Sequence, residues 1–474
     1  FVSQSTSLTL VIIISLIFAI LGISNSKKFQ GINNYLTANR NIGLFSLTTS
    51  LVASALGAWI LFGPVAAATW GGIGAVIGYA LGTAFPMIFL IYLGKKIRNE
   101  FPNGSSLIQF MRKKFGKSLF KLILLMTIFY MFIFLCAEVT AVAVLINYIS
   151  GTELWITALI VLLATLTYTL YGGLRASIFT DNIQMIVIAV LLIISVSYIT
   201  SFTGNEFSFE FIEKNNPHLL SASYIPSYTA GLTFFIAVAA TNLFHQGNWQ
   251  RVYAAKNYQT LRTSLIISFL IIVPIVFFMG FTGMVSFSID STNRPDLGFF
   301  TLLLKEQTEL LSLIIIVLGL ALTISTVDTL INAISSLFVV DGKATFNFNK
   351  KTDYLKLSKY FIIFLSLIAF IIASRGFDIL YLFLLADLFC CAFVLTVFYS
   401  FYNKSINEKT AYLAIVVGLI SGFLMFPFPD FSKSLLVGVL LPKDIFAPFI
   451  LQSLLFLSFV VATFLPAVML KINK

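Results

Sequence analysis

The chain has 474 residues, 59% of them hydrophobic and 10% charged, and its mean hydropathy is +0.98. No soluble domain buries that much apolar surface, so the composition describes an all-α polytopic membrane protein. Cys136, Cys390 and Cys391 sit inside apolar runs without disulfide or metal spacing, and two histidines nearly exclude histidine metal sites and catalytic triads.

Apolar runs of about 17–30 residues give thirteen candidate spans. They lie near 7–24, 43–70, 73–96, 118–148, 153–171, 176–201, 229–248, 262–287, 309–339, 358–374, 378–402, 410–426 and 447–470. The first lacks a basic leader and a small-residue cleavage site, and Lys27-Lys28 follow it. It reads as an anchoring helix with its N-terminus outside. The second span is interrupted by Gly57 and Gly63-Pro64, and the seventh ends in a polar run around Gly247. These interruptions are five spans apart, where each would head one unit of an inverted five-helix repeat. Two ordinary kinks remain the alternative at this point.

The connecting segments carry the orientation signal. Six of the 30 Lys and Arg residues (Lys214, Arg294, Lys305, Arg375, Lys433 and Lys443) fall in one set of alternate loops, and the other 24 in the opposite set. That asymmetry predicts an outside N-terminus and a cytoplasmic C-terminus, and it accounts for the charge of +11 without a nucleic-acid partner. The acidic outer segments 202–228 and 288–308 read as lids. Asn99–Gly116, which mixes apolar and basic residues, fits a helix lying in the interface. The acceptor patterns for glycosylation at Asn103 and Asn403 fall on the inner side. Gly72, Gly74, Gly78 and Gly82 lack dinucleotide-binding spacing and predict close helix packing.

Polar residues inside spans point to function. The stretch Tyr171-Gly-Gly-Leu-Arg-Ala-Ser-Ile-Phe-Thr-Asp-Asn-Ile-Gln184 places Asp181 about two turns inside a membrane helix. There an ionised carboxylate costs about 2.5–3.5 kcal/mol and needs a partner, a cavity or an ion. In the ninth span Ser325, Asp328, Thr329 and Asn332 recur at three- and four-residue spacing and line one helix face. Hydroxyls beside a carboxylate suit a hard cation, and Asp181 with Asp328 would share one. Hydroxyls returned to the i−4 carbonyl are the structural alternative. Glu138 and Asp387 both fall near mid-membrane. Together they would bind a cationic or amide N–H donor, with Trp59, His245 and Trp249 shaping the pocket. Either acid also reads as a protonated structural group.

Gly172-Gly-Leu-Arg-Ala-Ser-Ile-Phe-Thr-Asp-Asn-Ile-Gln184 and Ser325-Thr-Val-Asp-Thr329 resemble the signature and the sodium-binding helix of the sodium:solute symporter family. The resemblance covers nearly the whole chain and implies a LeuT-type 5+5 inverted repeat with about thirteen transmembrane helices. Residues 1–25 would then be an extra N-terminal helix, 43–201 and 229–402 the two repeats, and 410–474 two C-terminal helices. It also implies a sodium site made by the carbonyls of Ala53, Leu56 and Leu322 and the hydroxyls of Ser325 and Thr326. A second cation would lie near Asp181, Ser325, Asp328 and Thr329. Certain members carry an Asp where this chain has Ala55, so roles given to that Asp do not transfer. The stretches Phe244-His-Gln-Gly-Asn-Trp-Gln-Arg-Val-Tyr253 and Ala386-Asp-Leu-Phe-Cys-Cys-Ala392 look most like the urea and polyamine branch, which adds Gln246 to the expected solute contacts.

The expectation is therefore a non-enzymatic symporter of the plasma or inner membrane that uses Na+ and no organic cofactor. It would import a small polar solute such as urea or a polyamine, as a monomer with oligomers left open. A proton-coupled carrier titrating Asp181 or Asp328 is one alternative. A transporter-like membrane sensor, which would need an appended signalling domain, is another.

Overall fold

A computed structural model of the chain describes residues 1–306, 308–345, 351–403, 405–442 and 453–472. Lys350, Lys404, Lys443, Lys474 and the expected first turn of the last span (447–452) lie outside the described residues. In chain order the main helices are α1 (Gln4–Ser26), α2 (Leu44–Ala55), α3 (Gly63–Glu100), α4 (Leu107–Lys114), α5 (Lys117–Ser150), α6 (Leu154–Thr203) and α7 (Ile225–Phe244). They continue as α8 (Gln246–Ala254), α9 (Tyr258–Ile289), α10 (Glu309–Leu337), α11 (Tyr354–Ala373), α12 (Ile379–Tyr399), α13 (Glu408–Met425) and α14 (Leu454–Ile472).

Among the described residues, eleven helices are long and apolar enough to cross a membrane, and α2 is a shorter apolar helix. Two glycines reconcile this number with the thirteen sequence spans. Gly72 inside α3 has φ 60° and Gly173 inside α6 has φ 59°, conformations that an L side chain adopts only with strain. Each divides a continuous helix where the sequence separates two spans. A Cβ on Gly173 would also lie 2.5 Å from the Tyr35 ring. The remaining segment is the discontinuous pair formed by α2 and the start of α3.

Capping side chains set where several helices begin. Asn257 accepts from Thr260 N–H at 2.8 Å, Asp378 from Tyr381 N–H at 2.8 Å, and Asn407 from Lys409 N–H at 2.9 Å, each satisfying an otherwise free donor. The expected close packing runs between α3 and α7. A Cβ on Gly78 would meet Gly231 O at 2.1 Å, so these two backbones touch. On the segment read as interfacial, α4 buries Leu107, Ile108, Phe110 and Met111.

Polar chemistry is turned inward. Glu138, Asp181, Arg251, Asp328 and Asp387 are all buried, while Leu16, Ile193, Phe364 and Leu367 are exposed. That inverts the soluble-protein pattern and fits a lipid surround.

Candidate functional site

Both interruptions expected from glycine placement are true breaks. Helix α2 stops at Ala55, Leu56 (φ −95°, ψ 95°) and Gly57 (φ −94°, ψ −178°) are extended, and one 3-10 turn, Ala58–Leu61, leads into α3. Helix α7 stops at Phe244, His245 takes φ −63° and ψ 111°, and α8 begins at Gln246. A break frees backbone groups that need partners, and local side chains supply them. His245 Nδ1 accepts from Gly247 N–H at 3.0 Å, Trp249 Nε1–H donates to Leu243 O at 2.7 Å, and Asn248 Nδ2–H donates to Asn242 O at 2.9 Å.

The hydroxyl face of α10 lies against the first break. Ser325 Oγ stands 2.8 Å from Ala53 O and 2.9 Å from Asp181 Oδ1. One hydroxyl hydrogen serves only one of these acceptors, so the cluster holds more oxygen lone pairs than protons. Among the described residues, Thr326 Oγ1 is buried without a partner. Ala53, Leu56 and Leu322 are fully buried. An all-oxygen set rich in unused lone pairs suits a hard monovalent cation. Thr329 is different, since its hydroxyl returns to Ser325 O at 2.9 Å, the structural alternative raised by its spacing.

Asp181 has a partner that sequence reasoning missed. Arg251 Nη2 lies 2.8 Å from Asp181 Oδ2, and both side chains are wholly inaccessible. Arg251 also donates from Nε to Ser50 Oγ at 2.8 Å and from Nη1 to Gly247 O at 3.1 Å, and its Nη2 reaches Thr329 Oγ1 at 3.3 Å. Ser50 donates in turn to Asp181 Oδ2 at 2.8 Å. One guanidinium thereby ties α2, α6, α8 and α10 together. Asp328 is held by Ser177 Oγ at 2.7 Å, by Thr180 Oγ1 at 3.2 Å and by the Tyr168 hydroxyl. The two acids expected to share a cation are linked through Arg251, whose Nη2 reaches Asp181 Oδ2 at 2.8 Å and, at 3.4 Å, the Ser177 Oγ that holds Asp328, so a tethered cation already faces Asp181.

A small space of about 30 Å³ lies beside the same breaks, lined by Trp59, Tyr79, Phe134, His245, Phe383 and Asp387 among others. Trp59 stacks on Tyr79 with centroids 5.7 Å apart, and Phe383 meets Trp59 edge-on at 6.4 Å. Asp387 Oδ1 accepts from Thr241 Oγ1, and no other side-chain bond holds this acid among the described residues. The volume admits only a water or two, so the aromatic walls would have to part for a solute. Three of the six expected solute contacts line this space: Trp59, His245 and Asp387.

The other three lie elsewhere. Glu138 Oε1 accepts from Ala58 N–H at the break itself. Gln246 Nε2–H donates to Ser105 O at 2.8 Å, and Trp249 stacks on Phe398 at 6.4 Å. Arg251 was legible only as another inner-loop base. Its place four residues after Gly247, beyond a broken helix, is the signal that would have paired it with Asp181.

The family model described as "Sodium:solute symporter family" matches residues 35–418. The spermidine transporter DUR31 of Candida albicans is 25% identical over 380 residues, 80% of this chain and 71% of its own. Sodium/glucose cotransporter 4 of Mus musculus is 23% identical over 476 residues, 87% of this chain and 68% of its own. A substrate-bound, outward-open Na+-coupled sialic acid symporter superposes with a TM-score of 0.74 at 16% identity, covering 98% of this chain and 97% of the other. Mhp1, a nucleobase-cation-symport-1 family transporter, gives 0.58 at 16% identity, covering 93% and 95%. These likenesses establish the fold as the LeuT-type inverted repeat, in which broken helices face one another at mid-membrane.

Proposed function

Because the chain belongs to the sodium:solute symporter family, we propose that it couples inward movement of Na+ to uptake of a small amine or amide solute by alternating access. Residues 43–201 and 229–402 form the two inverted units in this reading, with the N-terminus outside. The observation that carries it is the meeting of Ser325 with Ala53 across the first break, beside the Thr326 hydroxyl, which has no partner among the described residues. Sodium would take oxygens from Ala53, Leu56, Leu322, Ser325 and Thr326, draw the end of α2 onto α10, and so order the break that borders the solute space. The Asp181 and Asp328 region is the place for any second cation. There Arg251 already supplies one positive charge, which favours a single-sodium cycle.

The solute side rests on Asp387 within an aromatic wall, a combination that attracts N–H donors and cations. A spermidine transporter among the relatives supports the same class. The driving force is sufficient. One charge crossing about 100 mV gains roughly 2.3 kcal/mol, and a tenfold sodium gradient adds about 1.4 kcal/mol. Together they sustain accumulation on the order of several hundredfold.

Uptake into proteoliposomes tests the reading. An inward sodium gradient should drive accumulation that potassium does not, and Ser325→Ala with Thr326→Ala should raise the sodium requirement about tenfold or more. Equal uptake in potassium, or uptake driven by a pH gradient alone, would overturn sodium coupling.

A further inference from the structure

Glu138 occupies a backbone donor at the first helix break, next to Trp59 of the aromatic wall. In carriers with broken helices, the N–H groups freed at the break are natural receptors for an anionic group on the solute. Here the first of them, Ala58 N–H, is taken by Glu138 Oε1 from α5. The fit is tight. A Cβ on Gly57 would lie 2.5 Å from Glu138 Oε1, 2.7 Å from Oε2 and 2.7 Å from Trp59 Cδ1. The fully buried carboxyl is therefore wedged between the break and the aromatic wall.

From this we infer that Glu138 sets the charge class of the solute: the site takes cationic amines and rejects solutes bearing a carboxylate. The inference rests on the amine reading proposed above. Ionised or protonated, Glu138 Oε1 fills the acceptor position at Ala58 N–H. Asp387 supplies the only acidic side chain among the described lining residues, and no Lys or Arg is among them. A cation meets Asp387 and the faces of Trp59 and Tyr79. An incoming carboxylate meets an occupied donor and two acids, with neither Lys nor Arg among the described lining residues to receive it. Glu138 acts through the break rather than by lining the space, so it is a positioning residue for selectivity.

The test compares two solutes of equal chain length, 1,4-diaminobutane and 4-aminobutyrate, in proteoliposome uptake driven by an inward sodium gradient. Wild type should favour the diamine by at least about tenfold. Glu138→Ala frees Ala58 N–H and should narrow that ratio by at least about fivefold through a gain in 4-aminobutyrate uptake, and added formate should widen it again. Should that variant fail to fold, Gly57→Ala pushes the carboxyl off the break and should change the ratio in the same direction. A merely structural role for Glu138 would lower both uptakes together and leave their ratio unmoved, which overturns the inference. Wild type that carries both solutes equally with sodium overturns it too, while leaving sodium symport intact. Sodium-driven uptake of neither solute instead defeats the amine reading on which it rests.

Discussion

Replacing Arg251 by Met, which keeps most of the volume and removes the charge, should destabilise the protein strongly. Arg251 has no accessible surface, pairs with Asp181 at 2.8 Å, and donates to Ser50 Oγ, Gly247 O and Thr329 Oγ1. Removing one partner of a buried pair costs about 3–5 kcal/mol, because the other charge is left without compensation. For a chain of this length that corresponds to a melting point lower by roughly 3–5 °C. The pair itself accounts for much of the loss, so Arg251→Met combined with Asp181→Asn should recover most of it. A mobile cation should also partly replace the guanidinium, so sodium should stabilise Arg251→Met more than it stabilises wild type. Thermal melts in detergent, with sodium and with potassium, measure all three effects. Additive single-variant losses, or an equal sodium increment in both proteins, would refute the idea that Arg251 is the counter-charge of Asp181.

Asp387→Asn should weaken amine uptake at least about tenfold while leaving the sodium-induced thermal shift in place, since the acid lies in the aromatic wall rather than beside Ser325. Loss of the sodium shift would contradict that separation. Gly173→Ala should cost about 1–3 kcal/mol for the positive-φ backbone alone, and more from the 2.5 Å approach to Tyr35; melting as in wild type would show that the turn is not required.

Much of the architecture is legible in the sequence because membrane physics leaves few options. Apolar run length and Lys/Arg asymmetry give the spans, and Gly57, Gly63-Pro64 and Gly247 mark where both discontinuous helices part. Helical spacing places Ser325 beside Asp328 and Thr329, but it does not say that Thr329 spends its hydroxyl on the backbone. What stays hidden is pairing across the fold. Arg251 looks like one more inner-loop base, yet the seventh span ends early at His245 and α8 carries the guanidinium back into the core, 70 residues from Asp181. Glu138 and Asp387 look equivalent as mid-membrane acids. Only the three-dimensional arrangement shows that one closes a helix break and the other faces the aromatic space.

The Ser325 hydroxyl carries a single hydrogen. With no cation it has two competing acceptors, Ala53 O and Asp181 Oδ1, at nearly equal distance. A sodium ion bound between Ala53 O and Ser325 Oγ would take a lone pair from each and turn the hydrogen wholly toward Asp181. Sodium affinity then depends on a carboxylate that never touches the ion, as outer partners of metal ligands commonly do. Asp181→Asn should therefore raise the half-saturating sodium concentration about tenfold or more, because an amide is a weaker acceptor than a carboxylate. Loss of the Arg251 pair confounds that variant alone. In the Arg251→Met, Asp181→Asn double variant stability should return while the sodium requirement stays high. A double variant with wild-type sodium dependence would show that Asp181 serves only the ion pair, and that Ser325 binds sodium without it.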